Sequence, residues 1–294
     1  MIADYQEAFV LETVGRDWVL EPVHGLRALS NEYSVESDVM RKSAGMPDIL
    51  REAGWRGHGT PDYSAMLAHP ETVHVGSARG RRARATSLLR SAEGSLRLAH
   101  MLEILRDHDP TGGCGPDWNP QEIAPYSLCV HAGALDRFSQ TTGSMASEIS
   151  RQCAVHWVTG TAAPCLSIFN PVLMDVPLPP LAIGLSDRFD PETLWWKHER
   201  FHRAALLDDF PKILDNIRGE RDVLETAFHA RITAVLNGGS LEERSRVIRN
   251  CWRDALESED RWYARLKRNR RATNLSYHAA WAEMNRIAGI PEVI

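Results

Sequence analysis

A proline-rich connector, VPLPPLAIG (residues 176–184), divides the chain into a strand-bearing part and a tail whose pattern is helical from Pro191 to the end. Within the tail, Asn237-Gly238-Gly239 interrupts the periodicity. Ser240 followed by Glu243 then has capping-box spacing, so a new helix is predicted to start there. Upstream, EAFVLETVGRDWVLEPV (7–23) flanks a Gly15-Arg16-Asp17 turn with apolar and β-prone residues and predicts a hairpin. GLRALSN (25–31) reads as a short strand ending at Asn31, and SDVMRKSAGMPDILREAGW (37–55) as helical with weak breaks at Gly45 and Pro47. Two further helices are expected in SARGRRARATSLLRS (77–91) and SLRLAHMLEILRDH (95–108). The Gly- and Pro-dense stretch from Asp109 to Pro125 reads as a loop. Beyond it, SLCVHA, TTGSMASEI and CAVHWVTGT read as strands, and CLSIFNPVLMDV as a fourth. Strands before the connector and helices after it make the chain α+β. We place the division at residues 1–190 and 191–294, and see no internal repeat.

The chain has 294 residues, enough to bury a substantial core as one large domain or two smaller ones. A formal net charge of -5 argues against broad nucleic-acid or anionic-membrane binding, which calls for a basic excess or face. No run of about 18 apolar residues could span a bilayer, and MIADYQEAFVLE lacks the features of a signal peptide, so a cytoplasmic location is expected. Cys114, Cys129, Cys153, Cys165 and Cys251 are an odd number without a C-x-x-C pair. They read as reduced thiols, not as a disulfide framework or zinc knuckle.

Several residues invite a chemical reading. KHERFHR (197–203) holds His198, Glu199 and His202 in H-E-x-x-H spacing, which on a helix can bind zinc beside a general base. Chance alone produces this motif in roughly a few per cent of chains of this composition, and no third-ligand extension follows; Glu220 or Glu225 would have to serve. The ordinary alternative is a helix carrying these residues on a partly exposed face. Cys114 in TGGCGPDW sits on a tight turn without an identifiable base. Cys129 and His131, two apart on a predicted strand, share a face and could form a pair, line a pocket or simply pack. Thr141, Thr142 and Ser144 offer either substrate-facing hydroxyls or cross-strand hydrogen bonds. The basic runs RGRRAR and RWYARLKRNRR read as solvated helix faces, and Trp195, Trp196, Trp252 and Trp262 as packing residues of the tail.

Long collinear blocks resemble the secernin and dipeptidase family of N-terminal-nucleophile cysteine hydrolases. They are EAFVLETVGRDWVLEPVHGLRALSN, SLCVHAGALDRFSQTTGSMAS, VHWVTGTAAPCLSIFNPV and LWWKHERFHR, covering most of the span from Ile2 to about Arg203. The resemblance implies an αββα sandwich followed by a helical extension. It also implies hydrolysis of an amide bond, of dipeptide type, by a cysteine whose own α-amino group acts as base. By that resemblance Asn31 is the oxyanion donor and Arg81 an active-site cation, with Arg79, Arg82 and Arg84 as alternatives for the same place. His131, Thr141 and Thr142 are candidates for the substrate pocket. No cofactor and no metal are implied.

In the family the nucleophile lies upstream of the EAxVLET hairpin, and none of the five cysteines here occupies such a place. The chain therefore resembles the C-terminal portion of such a hydrolase. It is expected to be inactive alone, to expose an apolar face, and to be poorly soluble or oligomeric. The expected partners are a small peptide or amide substrate and either a second copy or the missing N-terminal half. The alternatives are a non-catalytic scaffold, one subunit of a split hydrolase or acyltransferase, and a zinc protease built on HERFH.

Overall fold

The computed structural model describes residues 1–68, 77–109, 118, 120–122, 125–133, 139–179, 186–266 and 274–291. Helix outweighs strand, and the strands form two small antiparallel sheets, as α+β requires. The chain packs as two compact units, Met1–Arg97 with Ile149–Cys153, and Leu98–Glu148 with Ala154–Ile294. In the second unit the three-stranded sheet and the long helices of the tail pack on one another.

In the first unit, β1 (Ile2–Ala3), β2 (Ala8–Val14), β3 (Asp17–Pro22) and β4 (Arg41–Lys42) form a sheet in that order. The hairpin register pairs Val14 with Asp17, which leaves Gly15 and Arg16 as the two-residue turn. Gly15 has φ +58°, the positive value that the first central position of such a turn calls for. Val10 and Val19 are fully buried and, with Val35, Met46, Leu50 and Tyr63, form the core of this unit. Helices α1 (Met46–Glu52), α2 (Tyr63–Leu67) and α3 (Ala78–Ser91) complete it. Gly45 and Pro47, expected as weak breaks, mark the start of α1: Gly45 is its N-cap and the proline lies in its first turn, where a missing N–H costs nothing.

The strand expected over residues 25–31 does not form. Just beyond it, at Ser34 and Val35, side chains hold the backbone. Arg27 donates to the Ser34 carbonyl at 2.8 Å, and the Glu12 carboxylate accepts from the backbone N–H groups of Ser34 and Val35 at 2.8 and 3.1 Å. These bonds tie the chain after the segment to β2 through Glu12, and residues 25–31 pair with no strand.

The second unit contains α4 (Leu98–Leu105), the sheet β5 (Met145–Ile149), β6 (Ala154–Val158) and β7 (Asn170–Val172), and helices α5 (Leu194–Leu206), α6 (Phe210–Leu236), α7 (Leu241–Arg265) and α8 (Leu275–Ala288). Each tail helix opens on a side-chain cap, from Thr193, Asp209, Ser240 and Asn274. The Ser240 cap is a full capping box with Glu243. Strand β7 packs on α6 and α7, and the Trp252 indole donates to the Pro171 carbonyl at 3.1 Å. Trp196, Trp252 and Trp262 are buried, as packing residues would be.

Two strand expectations shrink. SLCVHA is not a strand: the N–H groups of Leu128 and Cys129 both donate to the Asp107 carbonyl at 3.0 Å, and only Val130 pairs with Thr141. CLSIFNPVLMDV contributes only residues 170–172, because Ser167 and Phe169 bond to side chains, with the Phe169 N–H donating to Glu225 at 2.8 Å.

Candidate functional site

Asn31 and Arg81, fifty residues apart in sequence, meet in the first unit. The Arg81 guanidinium donates to Asn31 Oδ1 at 2.7 Å and also reaches Ser77 Oγ. Helix α3 delivers Arg81 in its first turn, and the loop after β3 delivers Asn31. Because Oδ1 accepts from Arg81, the amide Nδ2 points away from the guanidinium and is the end that can donate to a ligand. Asn31 is exposed and borders a groove of about 560 Å³. Val10, Leu11 and Leu29 supply the apolar side of this groove, while Glu12, Glu32 and Arg79 supply charge.

The basic run that carries Arg81 is not simply a solvated face. Arg82 Nε donates to Glu32 at 2.6 Å, and Arg79 lies 3.6 Å from the same carboxylate. Consecutive residues of one loop, Asn31 and Glu32, are thus held by consecutive arginines of one helix. Arg82 is the more shielded of the two Glu32 partners and Arg79 is largely exposed. Arg79, exposed and only loosely paired with Glu32, is a cation at the groove able to meet an anionic group.

The substrate-pocket candidates lie in the second unit. Thr141 is used structurally: its hydroxyl accepts from the Val130 N–H at 2.9 Å, and its backbone bonds to Val130 and Ala163. Thr142 is exposed. His131 is 5% exposed and sits among Trp118, Phe210 and His202. Its Nε2 lies 3.5 Å from Cys129 Sγ, so the expected Cys-His pair exists although the strand does not. Cys165 Sγ and His108 Nε2 lie 3.5 and 3.2 Å from the same nitrogen. His108, Cys129, His131 and Cys165 are the group among the described residues that could hold a metal ion. Burial pushes the Cys129 thiol up and holds the His131 imidazole below its ordinary range, so both favour their neutral forms. Cys114 lies outside the described residues.

The H-E-x-x-H residues face inward, not onto a partly exposed surface: His198, Glu199 and His202 are each 1% exposed or less. Each has its own partners. His198 Nδ1 lies 3.1 Å from Glu259 and its Nε2 lies 3.2 Å from Ser167 Oγ. Burial opposes its charge, but Glu259 outweighs that and raises its pKa. Glu199 accepts from Arg203 at 2.8 Å and faces His202 Nδ1 at 3.2 Å. Burial alone would raise the Glu199 pKa; His202 and Arg203 bring it down to about 2. A carboxylate locked between an imidazole and a guanidinium is not placed to act as a general base on a metal-bound water.

No protein-family model matches the chain. Sequence reasoning missed His108 and Cys165, which lie 21 residues before Cys129 and 34 after His131 in a spacing no short motif describes. The one local signal was the Cys129-x-His131 pair.

Proposed function

We propose that the chain carries the oxyanion side of an amide hydrolase of the N-terminal-nucleophile type, within an αββα sandwich, with the cysteine nucleophile supplied by polypeptide outside these 294 residues. The observation that carries this reading is the Arg81–Asn31 hydrogen bond of 2.7 Å at the rim of the groove. A carboxamide is a useful oxyanion donor only if its N–H end is fixed toward the charge that develops on the carbonyl oxygen. Arg81 fixes it by occupying the oxygen end, and its permanent charge strengthens that bond over a neutral one. In the acylation step the thiolate adds to the substrate carbonyl. Asn31 Nδ2 then donates to the oxygen as it becomes negative, and the amine leaves with the proton taken from the thiol. Arg79 and the apolar wall from β2 give the groove one cationic and one apolar contact, which suits a small peptide with a free carboxylate.

The test uses the endogenous protein from its native source. Intact mass and N-terminal sequencing identify the segment or partner chain that begins with cysteine, and hydrolysis is then assayed across a dipeptide set. Asn31→Ala should lower kcat by about 10²–10³-fold with little change in KM, the effect of removing one oxyanion donor. Hydrolysis that is indifferent to Asn31→Ala, or a purified species with no cysteine-initiated segment or partner, refutes the reading.

A further inference from the structure

We infer that His108, Cys129, His131 and Cys165 form a four-coordinate structural site for Zn²⁺, independent of the groove that carries Asn31. Their four ligand atoms all lie within 4.8 Å of one another. Tetrahedral zinc with bonds of about 2.3 Å to sulfur and 2.0–2.1 Å to nitrogen sets ligand separations of about 3.3 Å for N···N and about 3.5 Å for N···S. The two imidazole Nε2 atoms are 3.2 Å apart, and His131 Nε2 is 3.5 Å from each sulfur.

Hydrogen bonding accounts for this convergence poorly. A ring nitrogen offers one proton or one lone pair, yet His131 Nε2 has three polar neighbours at hydrogen-bond distance. A cation at the centre satisfies all four atoms at once. Charge also balances: two thiols release their protons to solvent on binding, so two thiolates neutralise the divalent ion and the buried site carries no net charge. Mixed thiolate and imidazole donors in a tetrahedron suit zinc over harder cations. Four protein ligands leave no open position, which makes the site structural and not catalytic.

The outer nitrogen of the central ligand histidine faces a second ring without bonding to it. With Nε2 on the metal, His131 carries its proton on Nδ1, a buried atom without a partner among the described residues. The neighbouring ring of His202, its centroid 5.7 Å away, has a buried Nε2 that is equally without a partner, and its Nδ1 faces Glu199 at 3.2 Å. Glu199 fixes the His202 ring through Nδ1, and that ring packs beside His131 with no hydrogen bond between the two. On this account the H-E-x-x-H helix packs beside a zinc ligand and does not bind zinc itself. The ion would fasten three segments that share little regular structure: the turn after α4, the irregular stretch around residue 130 and the loop before β7.

The experiment uses the full chain purified from zinc-supplemented cells and dialysed against a weak chelator. Elemental analysis should find about one zinc per chain. Replacement by Co²⁺ should give the strong ligand-field bands of tetrahedral cobalt with thiolate-to-metal charge transfer. Cys129→Ser and Cys165→Ser should each lose about half the charge-transfer intensity or all of the metal, whereas Cys251→Ser and His198→Asn should retain both. If the cysteine variants are insoluble, the wild-type cobalt spectrum decides, because it reports thiolate ligation directly. A folded wild-type chain without stoichiometric zinc and without the charge-transfer band overturns the inference. So does zinc retained in the Cys129→Ser/Cys165→Ser chain, which would mark an adventitious ion only, or zinc lost in His198→Asn, which would return the metal to the H-E-x-x-H helix.

Discussion

Glu225→Leu should be among the most damaging single substitutions in the second unit, and Arg106→Met should partly rescue it. Arg106 and Glu225 form a bidentate pair with contacts of 3.0 and 2.5 Å, and their side chains are only 4% and 8% exposed. The guanidinium also donates to the carbonyls of Pro164 and Ser167 at 3.0 and 3.2 Å and lies over the Phe169 ring, while Glu225 accepts from the Phe169 N–H at 2.8 Å. Burial works against the Arg106 charge, but Glu225 outweighs it and holds the pKa above the ordinary arginine value. Removing the carboxylate strands a buried cation, which costs about 3–5 kcal/mol, and leaves the Phe169 N–H unpaired for about 1–3 kcal/mol more. A loss of about 4–8 kcal/mol is comparable to the whole stability of a marginal domain, which starts at about 5 kcal/mol.

The double variant removes both charges. Apolar replacement of a buried pair is often close to neutral, so the double should cost no more than about 2–3 kcal/mol, mainly from the orphaned backbone groups. The assay is urea denaturation followed by tryptophan fluorescence, with Trp157, Trp252 and Trp262 reporting from the buried core. Coupling between the two positions should then reach about 2 kcal/mol or more. Single variants that each cost under about 1 kcal/mol, or a double whose cost is the sum of the singles, would refute the argument that the pair matters through its buried charge.

Further outcomes follow from the same contacts. Glu199, with its pKa lowered to about 2 against an unfolded value near 4.5, contributes stability above about pH 4.5 and loses it as pH falls toward 2. Glu199→Gln should therefore flatten the acid limb of the stability curve between those values, as read by denaturation at about pH 5 and about pH 3. His198 behaves oppositely. Its pKa is raised above 6.5 chiefly because Glu259 outweighs burial, so its contribution is full below pH 6.5 and declines as pH rises through the folded value. Glu259→Gln should abolish that alkaline decline. Ser240→Ala breaks the capping box at the start of α7 and should cost about 1 kcal/mol in the thermal midpoint analysis, with Ser240→Gly milder.

Where a residue's partner is a few positions away, the sequence was readable. The turn at Gly15, the cap at Ser240 with Glu243 and the interruption at Asn237-Gly238-Gly239 are all settled within five residues, and the helices of the tail start and stop where those signals stand. Strands needed a neighbour the pattern could not name. Residues 25–31 and 127–132 read as strands from sequence. In the folded chain the N–H groups of Leu128, Cys129 and Val130 go to Asp107 and Thr141, and residues 25–31 pair with no strand. β-propensity measures fit to a pleated surface, and neither segment finds one.

The H-E-x-x-H helix shows how the same residues look different once their face is known. His198, Phe201, His202 and Ala205 fall at i, i+3, i+4 and i+7, so the motif lies inside the apolar stripe of α5, and its burial could have been read from that spacing. A buried imidazole needs partners for two nitrogens, and a helix face cannot supply them alone. Glu259 and Ser167 serve His198, while Glu199 serves one nitrogen of His202 and leaves the other facing inward. That leftover nitrogen belongs to a ring packed beside His131, whose own Nδ1 also has no partner among the described residues. Polar atoms in a core must be answered by something, and the atom left unanswered by the helix points to where the next contribution comes from. The Asn31–Arg81 contact follows the same logic at the surface: a side-chain amide becomes directional only when one of its ends is claimed, and the claim comes from a helix fifty residues downstream.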